Sequence, residues 1–223
     1  MKAGLHPQED KPLITIAPTR PEHAAALEAL QQAVYPTLDP AHWLRREHIE
    51  SHLRIFPAGQ FVALDGDRPV GMTATLRVAY DFAQPDHTFD EIIAGGFFTT
   101  HDPQGPWLYG ADISVLPEYR GQGIARRLYA ARHGLVQRLN LRGQIIGGML
   151  PGFRHYRDRM AVDAYVARVV AGEIFDPTLS VQLRNGFEVR GILRGYLHDA
   201  ALGDDAALLV WPNPAYRSIG TAI

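Results

Sequence analysis

Residues 113–128 read ISVLPEYRGQGIARRL. Ile113, Val115 and Leu116 form an apolar run, and Pro117 stops it. Gly121 and Gly123 then stand one residue apart, ahead of Ile124, Leu128, Ala131, Leu135 and Leu139 at helical spacing. Glycine at such a corner serves a backbone that takes positive φ or passes close to something. The first N–H groups of a helix have no intrahelical acceptor, and the positive end of the helix dipole lies with them. An anion placed there satisfies both.

Which anion is decided by the residues between the glycines. A P-loop requires Gly-Lys-Ser/Thr opening the helix, whereas Gly123 is followed by Ile124 and Ala125. A dinucleotide fingerprint requires G-x-G-x-x-G after the first strand of a βαβ unit. Here Arg126 holds the third glycine position, and several strand candidates precede the loop. Both readings fail.

Outward from the loop, the pattern alternates strand and helix signals. Strands are expected at 13–17, 60–64, 70–80, 107–115, 144–150, 187–193 and 206–211. Asp65-Gly66-Asp67 marks a hairpin between the second and third. Helices are expected after Pro21, at 41–55, 123–139, 161–171 and 178–184, with a short one at 89–94. Residues 82–106 form a long, turn-rich connection of the kind that is often functional. This order indicates an α/β domain of α+β type, with a mixed central sheet of six to seven strands flanked by helices. A polar N-terminal tail over 1–11, one domain over 12–214 and a C-terminal tail over 215–223 complete the expected organisation.

Composition narrows the chemistry. The 223 residues contain no cysteine, which excludes disulfides, thiolate nucleophiles and Cys-based metal centres. The only lysines are Lys2 and Lys11, so a buried catalytic lysine is not expected. A net charge of −2 does not advertise nucleic-acid binding, and no apolar run suggests a membrane span. A soluble cytoplasmic protein is the default expectation.

The remaining loop pattern, Arg/Gln-x-x-Gly-x-Gly/Ala, is carried by Arg120, Gly123 and Ala125. With its leading strand and Pro117-Glu118-Tyr119, it resembles the acetyl-CoA loop of the GNAT superfamily of N-acetyltransferases. Asn185-Gly186-Phe187-Glu188-Val189 resembles a late segment of the same family. The spacing between the two is long, which places a helical insertion near 151–176. The stretch from Pro151 to Leu193 also resembles the GNAT domain found fused to carbon–nitrogen hydrolases.

The resemblance implies a GNAT fold, with acetyl-CoA as co-substrate and no metal. It implies transfer of the acetyl group to a primary amine of a small molecule or peptide. Neither nucleic acid nor membrane is an expected partner, and a homodimer is an expected assembly. Ile113, Ser114 and Val115 would bind the pantetheine through their backbone. Arg120, Gly121, Gln122, Gly123, Ile124, Ala125 and Arg126 would hold the pyrophosphate, with Arg127 as a further cation. Asp112 is the candidate base. The family's usual tyrosine acid falls at Gln182, which has no acidic proton, so Tyr156 or His155 in the insertion become candidate acids. Asp176 stands where the family often has asparagine.

Alternatives remain. Gln182 also fits a catalytically weak acyl-CoA sensor or interaction module. His48 and His52, at i, i+4, could serve metal-dependent hydrolysis, but no third ligand is evident and a surface pair is the plainer reading. Arg154, Arg157 and Arg159 could attract an acidic substrate. Phe97 and Phe98 are expected in the core.

Overall fold

The computed structural model describes residues 13–218; the expected tail over 1–11 and the last five residues lie outside the described residues. Seven strands form one sheet: β1 (Ile14–Pro18), β2 (Phe61–Asp65), β3 (Arg68–Val78), β4 (Trp107–Val115), β5 (Gly143–Met149), β6 (Glu188–Leu193) and β7 (Ala206–Pro212). Their spatial order is β1-β2-β3-β4-β5-β7-β6. Every pair is antiparallel except β4 with β5. The helices are α1 (Ala24–Val34), α2 (Arg46–Ile55), α3 (Phe89–Ile93), α4 (Ile124–Arg138), α5 (Val162–Val170) and α6 (Leu179–Arg184). The expected mixed sheet and helical insertion are both present. Among the described residues no helix is long and apolar enough to cross a membrane.

Local chemistry sets most of these boundaries. The β2–β3 hairpin turns at Gly66, which takes φ 57°. Thr88 starts α3 with a capping box, its hydroxyl accepting from the Glu91 N–H while Glu91 accepts from the Thr88 N–H. The helix expected over 41–55 is broken at its start. Asp39 caps a single 3-10 turn through Ala41 N–H at 2.8 Å, the chain then extends, and α2 begins only at Arg46.

α1 and α4 cover opposite faces of the sheet. On α1 the buried residues are Ala24, Leu27, Leu30 and Gln31. On α4 they are Ile124, Leu128, Tyr129, Arg132, Leu135 and Val136. The main core joins both helices to β1–β5. A second cluster, centred on Tyr129, Ile146, Tyr165, Phe187 and Leu209, joins α4 to α5, α6 and the β5–β7 end. Asp176 knits the insertion to this cluster. Its buried carboxylate accepts from the N–H groups of Gly152, Thr178 and Leu179 and from the Tyr165 hydroxyl, all at 2.8–2.9 Å.

Candidate active site

The site begins where two strands part. β4 pairs with β3 along its length but with β5 only through Trp107, Leu108 and Tyr109. Beyond Tyr109, residues 110–115 have no strand partner on the β5 side. β5 meanwhile stays fully paired with β7. β4 also carries a bulge: Gly110 faces Thr75 and Asp112 faces Ala74, so Ala111 is extra. The result is a gap along β4 with no partner strand on that side, where the Ile113 and Val115 carbonyls already accept from Tyr35 at 3.4 Å and Arg120 at 3.2 Å.

The 120–123 loop lies at the mouth of this gap. Gly121 and Gly123 take φ 75° and 77°, which L side chains rarely adopt. A Cβ at either would meet nothing within 4 Å, so the glycines serve conformation and the space beside them is open. Gly123 caps α4 with no side-chain cap, and the first helical bond runs from Arg127 N–H to Gly123 C=O. The N–H groups before it are left for an outside acceptor. Arg120 and Arg126 are exposed beside them, and the Arg120 Nε also donates to Val115 C=O at 3.2 Å. Ile124 is buried and anchors the turn from below. Arg127 is committed elsewhere, donating to Ile14 C=O at 2.8 Å and tying α4 to β1.

On the α1 face of the gap, Asp112 is buried and bonded to three side chains. It accepts from the Tyr35 hydroxyl at 2.7 Å, the Gln31 amide at 3.0 Å and the Ser114 hydroxyl at 2.9 Å. Burial pushes the carboxyl above its usual range, and these donors hold it partly back. Tyr35 is raised well above the ordinary phenol value, by burial first and the Asp112 charge second.

The α4 face carries a different set. Gly110 leaves room for the Arg132 guanidinium and the Gln144 amide against the strand. Arg132 is fully buried, donates to the Asp112 backbone carbonyl and lies 5.6 Å from the Tyr129 ring centre. Burial lowers its pKa to about 10. Tyr129 is buried with its hydroxyl against Gln182, whose side chain lies over Gly148 of β5. Arg132 Nε, both polar atoms of Gln144 and Gln182 Oε1 have no hydrogen-bond partner among the described residues.

Residues 24–142 match the family model described as the acetyltransferase (GNAT) family. An uncharacterized N-acetyltransferase, YkwB of Bacillus subtilis (strain 168), is 32% identical over 192 residues, 86% of this chain and 85% of its own. The chain belongs to the GNAT acetyltransferase family. Probable hydrolase YhcX, from the same organism, is 40% identical over 188 residues, 84% of this chain. This GNAT chain spans only 36% of that relative's length. Among solved structures, the GNAT-like decarboxylase GphF in complex with isobutyryl-CoA superposes with a TM-score of 0.77 at 22% identity. That match covers 89% of this chain and 99% of the other, and it shows the shared fold.

Within this GNAT chain the expected site residues divide. Residues 112–126 come together as one strand, loop and helix start. Tyr156 does not join Asp112. It lies half-buried on the second cluster, 5.3 Å from the Tyr165 ring centre, whereas Asp112 faces α1. His155 is exposed, bonded to Arg154 and Arg159. His48 and His52 are not a surface pair. His48 Nδ1 accepts from Arg45 N–H at 3.1 Å. His52 bonds Gly96 C=O at 2.7 Å and stacks on Phe98 at 3.5 Å. Burial lowers the His52 pKa to about 3. No group of three or more His, Cys, Asp or Glu residues suited to a metal occurs among the described residues. Phe98 is in the core, but Phe97 is 39% exposed. Tyr35, Gln31, Tyr129 and Arg132 escape a sequence reading, because each reaches the gap only through packing of its helix.

Proposed function

We propose that this chain is an N-acetyltransferase that moves the acetyl group of acetyl-CoA to a primary amine of a small molecule or peptide. One observation carries the reading: β4 leaves β5 after Tyr109, and the positive-φ loop opens α4 at the mouth of the same gap. The pantetheine would run along the backbone of Ile113, Ser114 and Val115. The pyrophosphate would sit on the N–H groups of residues 121–126, with Arg120, Gln122 and Arg126 beside it. The donors fit this group: they are unsatisfied, positively polarised and open to solvent.

Asp112 meets three donors already, so any proton it takes passes through Tyr35 or Ser114. On the leaving side, Gln182 has no acidic proton to give, so the thiolate takes its proton from the attacking amine. We read 12–214 as the acyltransferase domain. The second reading, a catalytically weak acyl-CoA sensor, draws support from Gln182 alone.

Calorimetry with acetyl-CoA tests the first reading. Binding to the wild type is expected, with Gly123→Glu weakening it roughly 100-fold, because a side chain is strained at that φ and its charge repels phosphate. No binding, or equal binding by the variant, rejects the proposal. Thiol release with any amine of a broad panel rejects the sensor reading.

A further inference from the structure

At the foot of the gap three side chains outside the set above join end to end. His87 Nδ1 lies 2.7 Å from Pro85 C=O, and His87 Nε2 lies 2.8 Å from the Tyr109 hydroxyl. The Tyr109 hydroxyl lies 2.9 Å from that of Tyr196. The direction of this chain follows from its anchor. A carbonyl only accepts, so in the neutral imidazole Nδ1 carries the proton. Nε2 therefore accepts from Tyr109, and the Tyr109 oxygen accepts from Tyr196. A proton delivered to the Tyr196 oxygen can move to His87 by two hydroxyl shifts, with no side chain turning.

The chain ends at the gap. Tyr109 is the last residue of β4 paired with β5. Gly147 lies two residues beyond the last paired residue of β5, and a Cβ there would stand 2.4 Å from Tyr196 Cζ. The phenol end of Tyr196 thus rests on bare backbone at the parting of the strands. By strand alternation and the bulge at Ala111, Tyr109 shares its face with Asp112, opposite Arg132. Asp112 already holds three donors, whereas the Tyr196 oxygen, though buried, accepts from no side chain among the described residues.

We propose that Tyr196, Tyr109 and His87 form the proton relay of the acyl transfer, with Tyr196 meeting the acceptor amine and His87 as the terminal base. This rests on the acyl-transfer reading. The ammonium gives one proton to the Tyr196 oxygen as Tyr196 passes its own to Tyr109 and Tyr109 passes its own to His87 Nε2. The freed nitrogen lone pair forms the N–C bond to the thioester carbon. The C–S bond breaks, its electron pair leaves on sulfur, and the second amine proton neutralises the thiolate to CoA–SH. The imidazolium then returns its proton to solvent.

His87 is faced by Tyr80, Asp86, Glu91, Tyr109 and Tyr196. Burial outweighs the two carboxylates and lowers its pKa, so it is neutral at pH 7 and able to accept. Turnover should fall as pH drops through this lowered value.

Nitrogen NMR of the full chain with labelled histidine tests the polarity: neutral His87 should be the Nδ1–H tautomer, and CoA should shift its signal in the wild type but not in Tyr196→Phe. Thiol release with the amine panel tests the role. Tyr196→Phe, Tyr109→Phe and His87→Gln should each lower kcat by at least about tenfold, with the acetyl-CoA Kd unchanged. The acid limb of the wild-type rate profile should coincide with the His87 titration. The phenylalanine variants keep the ring, and thermal melting checks their folding, so loss of His87→Gln to misfolding leaves the test intact. An Nε2–H tautomer, or full turnover by folded Tyr196→Phe, overturns the relay alone. Failure of the wild type to bind acetyl-CoA overturns the acyl-transfer reading and the relay with it.

Discussion

On the α1 face of the gap, the Asp112 carboxylate holds three donors, and His87, Tyr109 and Tyr196 link without a break. On the α4 face, among the described residues, Gln144 has neither polar atom paired, and Arg132 Nε and Gln182 Oε1 have no partner. The two sets lie across one strand and meet at the Asp112 residue. Its carboxylate serves one face, and its backbone carbonyl takes Arg132 on the other. A satisfied network fixes its members in one geometry, whereas unpaired buried groups cost free energy until something pairs them. The contrast suits a site with a preset acceptor side and a side completed when the thioester enters.

The largest test of this contrast removes the centre of the satisfied face. Asp112→Asn presents an amide to groups that already donate, and it should lower stability by about 3 kcal/mol in urea unfolding at pH 7. A loss below about 1 kcal/mol would mean that the carboxylate does not organise that face.

An intermediate effect comes from two buried histidines. Burial lowers the pKa of His52 to about 3 and of His133 to about 4. The unfolded chain takes these protons first as pH falls, so their contribution is level above pH about 6.5. It then declines toward pH 4 for His133 and pH 3 for His52, by at most about 1.4 kcal/mol per pH unit for each group. His133 stacks on Trp211 at 3.8 Å, but its Nε2 has no partner among the described residues. His133→Phe should therefore flatten the upper part of this acid limb in denaturant titrations at several pH values. An unchanged slope would show that His133 already titrates normally.

The smallest effect sharpens the other side. Gln144→Leu replaces an unpaired buried amide by an apolar side chain of similar volume, and should raise stability by about 1 kcal/mol. A loss of that size in thermal melts would instead reveal a partner for Gln144, bound water included.

The loop at 120–126 was legible because its signal is local. Positive φ at Gly121 and Gly123, and an open helix start, follow from neighbouring residues. Most strands and helices were legible for the same reason: periodicity is a property of adjacent residues. The partners of Asp112 were not, since Gln31 and Tyr35 lie about 80 residues away in sequence. Tyr196 sits 87 residues from Tyr109, in the connection between β6 and β7. A signal for it existed in Gly147-Gly148, two glycines inside a strand, which mark close approach of something to the backbone. Tyr196 and Gln182 turned out to be what approaches. The burial of His48 and His52 was not legible, because helical spacing does not say which face α2 buries.

The sequence by itself determined most of the elements, the turn at Gly66, the helix start at Gly123 and the absence of cysteine chemistry. Each depends on bond geometry and residue type within a few positions. Tertiary structure alone decided that β5 lies between β4 and β7, that it leaves β4 after Tyr109, and which polar groups face the resulting gap. Those outcomes depend on pairing and burial between segments far apart in the chain, where a hydrogen bond exists only once both partners have been packed into place.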